Sequence, residues 1–245
     1  LIILAIDTSG KSGGIALARA VDADFTLLES APIAGGTFSS QLIPLVSELL
    51  RKHGLKKEDI GGFAVASGPG SFTGLRVGLA AVKGLAEVLR KPIATVSVLE
   101  ALAVIATVET PLLASQKTGQ APSLPKSKVM AVLDAQRGEA YLGEYEIAGG
   151  HATKLREELH TIAGLVSEVR KAETGAESVV TCDTTIATAL AEVGLACVTV
   201  SRPGAAEVAR IGAVKLARGE TVTVEELDAN YIRNTDAQIF AKPAK

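Results

Sequence analysis

The chain opens on an unbroken apolar run, LIILAI at residues 1–6, and two further apolar segments follow at 14–20 and 25–30, separated by the turn-rich KSGG and VDAD. Short apolar runs bounded by turn residues read as strands, so a three-stranded meander is expected. The period then changes. Leu42, Leu45, Val46, Leu49 and Leu50 recur at helical spacing within residues 40–53, with Gly54 as the stop signal. Pro44 is expected in the first turn of that helix, where a missing N–H is tolerated. A strand at 62–67, a helix at 73–90, a strand at 93–97 and an alanine-rich helix to about residue 108 complete the first alternation.

Residues 110–128 break the pattern, with Pro111, Pro122 and Pro125 among Ser, Gln, Lys and Gly, and read as an exposed linker or insertion. Beyond it, 129–133 and 139–147 read as a hairpin about DAQRG. A helix at 162–171, a strand at 178–182, a helix at 186–193 and a strand at 197–200 follow. A last helix spans 207–218, and the tail through residue 241 reads as extended. The expected organisation is an α/β chain of two related subdomains, 1–109 and a smaller 129–202, joined by 110–128 and closed by a returning helix and tail at 203–245. No solenoid period is present, but both halves begin with strands and end in alternating helices and strands, as structural duplicates would.

The most informative stretch is residues 67–86, SGPGSFTGLRVGLAAVKGLA. Its helix carries only Arg76, Lys83, Glu87 and Arg90 as charges, spaced seven, four and three apart on one narrow stripe. A helix wet over so little of its circumference must be covered on more than one side, by its own sheet and by something else. Gly78 and Gly84 sharpen the point, since each interior glycine costs roughly 1 kcal/mol against alanine. Gly74, Gly78 and Ala81 share a face and would permit close approach of another helix. The second cover is either a partner or another element of the same chain. The turn from Gly68 to Gly74 invites a phosphate reading, but the Walker pattern fails, because Leu75 and Arg76 follow the last glycine. Ser71 and Thr73 serve equally as helix caps.

Length and composition narrow the functions. At 245 residues with a net charge of −2, the chain has room for a large core and no basic footprint for nucleic acid, and aromatics at 3% leave few platforms for stacking bases. Cys182 and Cys197 stand fifteen apart across a strand, a helix and a strand, which does not suit a structural disulfide or zinc site. His53, His151 and His160 lie in separate segments and read as surface residues. The opening run is too short for a secretory h-region and lacks a basic flank, and no stretch is long enough to span a bilayer. A cytoplasmic protein is expected.

The opening AIDTSGKSGGIAL resembles the first phosphate loop of the actin, sugar kinase and Hsp70 superfamily. Together with GPGSFTGLRVGLAAVKGLA and VLDAQRGEAYLGEY, it resembles the TsaB family, also called YeaZ, over most of residues 1–147. That resemblance implies a non-catalytic partner of the paralogue TsaD, with the ATPase TsaE, in placing a threonylcarbamoyl group on the adenosine beside the tRNA anticodon. It also implies a helical association surface able to pair with itself. Carried onto this chain, the surface comprises Gln41, Leu42 and Leu45 of the first helix. From the second it takes Gly70, Ser71, Phe72, Thr73, Gly74, Val77, Gly78 and Ala81. tRNA would be reached through the complex, and no membrane is involved.

The catalytic relative carries two metal-binding histidines on its first helix, whereas here the stretch reads FSSQLIPL, so no metal site is expected. Asp7, Thr8 and Ser9, with Asp134 and Arg137, are the candidate nucleotide residues, and ATP or ADP with magnesium would bind at an interface shared with the partner. The paired glycines expected after the second aspartate are replaced by Gln136 and Arg137, and the adenine clasp by TCDTT around Asp183. Asp7 serves equally as the cap of a strand end, and Asp134 with Arg137 equally as an ion pair or as the support of the hairpin. The tail keeps Tyr231 and Arg233 but lacks the proline that precedes them in the family. Two alternatives stand beside the partner reading: a self-sufficient kinase-like or ATPase enzyme using Asp7 and Asp134, and a homodimer with an unrelated binding role.

Overall fold

In the computed structural model, the described residues are 1–22, 24–109, 127–148, 151–173 and 178–232. Residues 110–126 of the expected linker, and Arg233 with the rest of the tail, lie outside them. Strands β1 (Ile2–Asp7), β2 (Ser12–Val21) and β3 (Asp24–Ala34) form the expected antiparallel meander, followed by helix α1 (Phe38–Lys52), β4 (Ile60–Gly68), α2 (Phe72–Leu89), β5 (Ile93–Ser97) and α3 (Val98–Glu109). The second half repeats the series as β6 (Ser127–Gln136), β7 (Glu139–Ala148), β8 (His151–Thr161), α4 (Ile162–Glu173), β9 (Ser178–Thr181), α5 (Thr184–Glu192), β10 (Val198–Thr199) and α6 (Ala205–Arg218).

The two sheets have the same topology. The first runs β3-β2-β1-β4-β5 and the second β8-β7-β6-β9-β10, with an antiparallel meander on one side of the leading strand and two parallel strands on the other. The duplication is complete only once β8 is included, a strand that the apolar pattern does not predict. Its HATKLREELHT is a polar edge strand in which Ala152 is the one buried apolar residue. Its charges are met by neighbours instead. Arg156 reaches Glu168 of α4 at 2.7 Å and also pairs with Glu144 of β7, contacts that leave no apolar alternation to read.

Alternate faces of β1 and β4 feed two different cores. Leu4, Ile6, Phe63 and Val65 face α1 and α2, whereas Ile3, Ala5, Ala64 and Ala66 face the interior between the sheets. Strands covered on both sides read as continuous apolar runs, which is why LIILAI shows no alternation. Between the sheets lie α3 and α6, and they are exchanged: α6 packs on β1, β2, β4 and β5, while α3, which follows the first sheet, packs on β6, β7 and β8. Helices α4 and α5 cover the far face of the second sheet around Leu165, Val169, Ile186 and Leu190. The chain is thus five layers deep, with one core shared by both halves.

Of the two covers expected for α2, its own sheet is present, and no other element among the described residues closes the remaining face. The helix covered on every side is α3, all of whose residues from 98 to 106 are buried. Its Glu100 carboxylate is matched by Lys215 of α6 at 2.7 Å. By contrast α2 leaves Thr73, Ala80, Gly84 and Val88 open, Val88 at 73% exposure. Pro44 is also displaced from its expected place. Helix α1 begins at Phe38, where the Thr37 carbonyl accepts the N–H groups of Ser40 and Gln41, so Pro44 sits in the second turn on the exposed side. The helix loses one backbone bond there at a position where water can satisfy the orphaned carbonyl.

The glycines of the α2 motif are fixed by the chain itself. A Cβ at Gly70 would fall on the Ser9 carbonyl, one at Gly74 on the Thr8 carbonyl, and one at Gly78 on the Thr8 hydroxyl, each well inside van der Waals contact. Spaced four apart, the three form a ridge that seats α2 and its leading turn on residues 7–9. The seat is locked by Ser71 N–H donating to the Ser9 carbonyl at 2.7 Å. Ser71 also caps the helix by accepting the Gly74 N–H at 3.3 Å. At Gly84, by comparison, no other atom lies within 4 Å of the place a methyl would take.

Glycine substitutions therefore separate the two faces of α2. Gly74→Ala should destabilise the protein by about 1–3 kcal/mol, because a backbone carbonyl cannot yield to the methyl. Gly84→Ala should stabilise it by about 0.5–1 kcal/mol, through helix propensity alone. Urea denaturation of both variants checks the assignment, and equal effects at the two positions would contradict it.

Candidate functional site

A cleft of about 1220 Å³ opens where the C-terminal ends of β1, β4, β6 and β9 meet, bordered by Ser9, Lys11, Asp134, Arg137, Asp183 and Arg202. This is where ligands lie in open α/β sheets, outside the carboxyl ends of the strands at the point where strand order reverses. The cleft brings the two candidate nucleotide segments face to face, one from each sheet. Within them, individual residues take up different tasks from those expected.

Asp7, Thr8 and Ser9 are all buried, at 5%, 1% and 1% exposure, and only Ser9 reaches the lining of the cleft. The Asp7 carboxylate accepts the Ser9 N–H at 2.8 Å, while Thr8 lies beneath Gly74 and Gly78. Burial pushes the Asp7 carboxyl above the ordinary aspartate range, and the bonds from Ser9 and the charge of Arg202 pull it back only in part. Asp7 is thus a buried support for the turn. Beyond its interaction with the Asp7 carboxyl, the Ser9 hydroxyl, also buried, has no hydrogen-bond partner among the described residues.

Across the cleft, Asp134 binds its own turn. One carboxylate oxygen accepts the Gln136 N–H at 2.7 Å and the other the Gln136 side-chain amide at 2.8 Å, while the Asp134 N–H donates to Asp183 at 2.8 Å. Of the two roles left open for Asp134, fixing the hairpin is the one observed, with Gln136 rather than Arg137 as its partner. Gln136 and Arg137 both take positive φ, 64° and 58°, before Gly138 at 77°. That turn carries Arg137 to the cleft wall. Arg202, just before α6, is a wall residue that the sequence does not announce, because SRPG carries no signal beyond a turn. Among the described residues, no group of three His, Cys, Asp or Glu is placed to hold a metal ion. Nor is any helix long and apolar enough to cross a membrane.

The second candidate surface is formed by α1 and α2, which lie side by side against the first sheet. Of the residues expected to meet a partner, Gln41, Gly70, Ser71, Phe72 and Thr73 are exposed, and Leu45, Val77 and Ala81 are half-buried. Leu42, Gly74 and Gly78 are buried in the monomer and are not available to a partner. The stripe that is open runs Thr73, Val77, Ala80, Ala81, Gly84 and Val88, one face of α2 at helical spacing. On α1, Ile43 at 47% exposure and Pro44 are open. The sequence could have supplied Ala80, Gly84 and Val88, since they recur on one face. The stronger glycine signal pointed inward instead. At the start of α2, the Arg76 guanidinium lies 3.8 Å above the Phe72 ring, and Tyr231 packs on that ring at 5.5 Å between centroids.

Comparison with known proteins agrees with this architecture. Residues 32–198 match the family described as TsaD, tRNA N6-adenosine threonylcarbamoyltransferase. The chain is 34% identical over 150 residues to the tRNA threonylcarbamoyladenosine biosynthesis protein TsaB of Bacillus subtilis, covering 61% of this chain and 57% of that protein. It is 32% identical over 144 residues to the TsaB protein of Escherichia coli, covering 59% and 54%. The chain thus spans little more than half the length of these relatives. A solved Pseudomonas aeruginosa structure, described as an uncharacterized protein with similarity to peptidase YEAZ, superposes with a TM-score of 0.72 at 25% identity. It covers 95% of this chain and 99% of that one. The paired sheets are those of the actin, sugar kinase and Hsp70 fold, and the chain belongs to the TsaB (YeaZ) branch of the TsaD family.

Proposed function

We propose that this protein takes part in forming threonylcarbamoyladenosine on tRNA as a non-catalytic partner of a TsaD protein, with TsaE joining the assembly. The observation that carries the reading is the open stripe of α2, small and apolar from Val77 to Val88, lying beside exposed Ile43 and Pro44 of α1. An open apolar stripe on a helix, with a second exposed apolar side chain on the helix packed beside it, suits a surface for another protein. Ala80, Ala81 and Gly84 would let a partner helix approach closely. The same stripe could pair with a second copy of itself. The near-neutral charge suits a protein that reaches tRNA through the assembly rather than by its own surface.

The cleft supports the non-catalytic reading. Lys11, Arg137 and Arg202 suit a phosphate. A magnesium nucleotide held by two aspartates does not fit, because Asp7 lies behind Ser9 and both oxygens of Asp134 are engaged by Gln136. Nucleotide bound with magnesium would need ligands from the partner, at a shared interface.

Three measurements test these statements. TsaD and TsaE from the same organism, given threonylcarbamoyl-adenylate, ATP and tRNA, should form modified nucleoside only when this protein is added. Gly84→Arg should abolish that stimulation without lowering the melting temperature, since the site is open in the monomer and arginine suits a helix better than glycine. Full stimulation by Gly84→Arg would remove the stripe as the docking face. Calorimetry of the isolated chain with millimolar ATP and magnesium should show no heat. A saturable signal abolished by Asp7→Ala would favour a self-sufficient kinase-like enzyme. The third concerns Asp7 itself. Its raised carboxyl means the folded state holds the proton more tightly than the unfolded state, so stability falls as pH rises through the ordinary aspartate range and beyond. Asp7→Asn should therefore melt higher than the parent at pH 7, the difference vanishing as pH falls below about 4. A difference that grows on acidification would contradict the sign.

A further inference from the structure

A second, smaller cavity of about 480 Å³ lies on the other side of residues 227–230, and Asn230 lines both it and the cleft. Beside it lies Glu157 of β8, whose side chain is only 4% exposed. One Glu157 oxygen accepts the Ser97 hydroxyl at 2.5 Å and also the Tyr145 hydroxyl. The other accepts the Asn230 side-chain amide at 2.6 Å, with the Lys154 ammonium at 3.7 Å. Ser97 ends β5 of the first sheet, Tyr145 and Glu157 belong to the second, and Asn230 comes from the segment after α6. One buried carboxylate thus ties three separate parts of the chain.

The segment it holds behaves as a strap. Val222 joins the edge of β5 through its N–H to the Ile93 carbonyl at 2.9 Å, and Leu227 and Ala229 bury their side chains in the core shared with α1 and α2. Asn230 then donates its N–H to the Ser67 carbonyl at 2.7 Å and its side chain to Glu157. Only after this fixed point does Tyr231 turn onto the Phe72 ring, where its hydroxyl lies 3.4 Å from the Arg76 side chain. The polar and ring contacts of Tyr231 among the described residues are these two with α2 and one turn bond to Ala229.

We propose that Glu157 is a positioning residue, the latch of this strap: by holding Asn230 it sets Tyr231 against Phe72 and Arg76, and so couples the junction of the two sheets to the leading turn of α2. A movement of the second sheet against the first, or a ligand entering the smaller cavity, is then felt at α2 and at the mouth of the cleft. The effect on association rests on the docking face proposed above, but the latch itself does not.

The test exchanges the polarity of the pair in the full chain. Asn230→Asp sets two carboxylates together, and the amides of residues 230 and 232 should exchange with solvent about tenfold faster or more, the loss expected for one charge-assisted hydrogen bond. Adding Glu157→Gln restores a donor on one side and an acceptor on the other, with the oxygen of the new amide still open to Ser97 and Tyr145. The double variant should regain most of the protection, and amides 72–76 should follow the same order. Unchanged exchange in Asn230→Asp, or a double variant no slower than the single, overturns the latch, whereas a merely space-filling Asn230 predicts no rescue. Capture of the partner should weaken in Asn230→Asp and recover in the double variant. If capture ignores the latch while Gly84→Arg abolishes it, the coupling to α2 is wrong and the docking face stands. If Gly84→Arg also leaves capture intact, the docking face is wrong, and the latch is decided by exchange alone.

Discussion

Three glycines four residues apart let α2 lie directly on the turn that ends β1, and most of what gives this protein its shape depends on that contact. With Gly70, Gly74 and Gly78 against Thr8 and Ser9, the helix approaches the strand end more closely than any side chain would allow. Thr8 and Ser9 are thereby sealed from water, and Asp7 is buried behind them. The same contact rotates α2 about its axis. With the glycine ridge turned inward, Ala80 falls on the far side of the helix and faces out, while Gly84 and Val88 lie on its flank and are also exposed. The seat thus fixes the rotation of α2, so the same contact that forms the cleft floor also sets which flank of the helix is open.

A second constraint is the exchange of α3 and α6 between the sheets. Were each half to keep its own third helix, two small α/β units could separate about a flexible joint, as small domain interfaces permit. Here α3 is buried against the sheet that follows it and α6 against the sheet that precedes it. Opening the cleft by parting the halves would expose one continuous apolar core, and it would pull Glu100 from Lys215 in a setting where neither is well solvated. Parting the two sheets therefore carries the cost of exposing that core.

Much of the architecture is legible because period and punctuation agree. Runs of buried strand, amphipathic spacing in α1 and the break after residue 109 give the order of elements in the first half, and the hairpin about DAQRG opens the second. The failures have physical causes. Strand β8 is stabilised by cross-strand ion pairs at a sheet edge, so it has no apolar alternation to detect. The glycine ridge suggests a surface for another molecule because spacing four apart shows that something comes close, not what it is. That the first turn and residues 134–137 border one cleft follows from the resemblance. That Asp134 is consumed by Gln136, and that Arg202 completes the wall, depends on positive-φ geometry and on chain return, neither of which leaves a local pattern.

Glu157 and Asn230 stand furthest from what sequence can show, since a lone glutamate in a charged strand and an asparagine in a tail look like solvated residues. Their burial gives them another role. Three donors on a carboxylate that is 4% exposed form a network whose members stabilise one another only while all are present. Such networks contribute less to net stability than equivalent apolar packing, but they specify one arrangement, because any displaced donor leaves a buried charge short of a partner. Placed where β5, β8 and the final described segment converge, that specificity falls on the relative position of the two sheets and of Tyr231. A polar junction whose Asn230 lines both cavities is positioned to define small displacements of one sheet against the other.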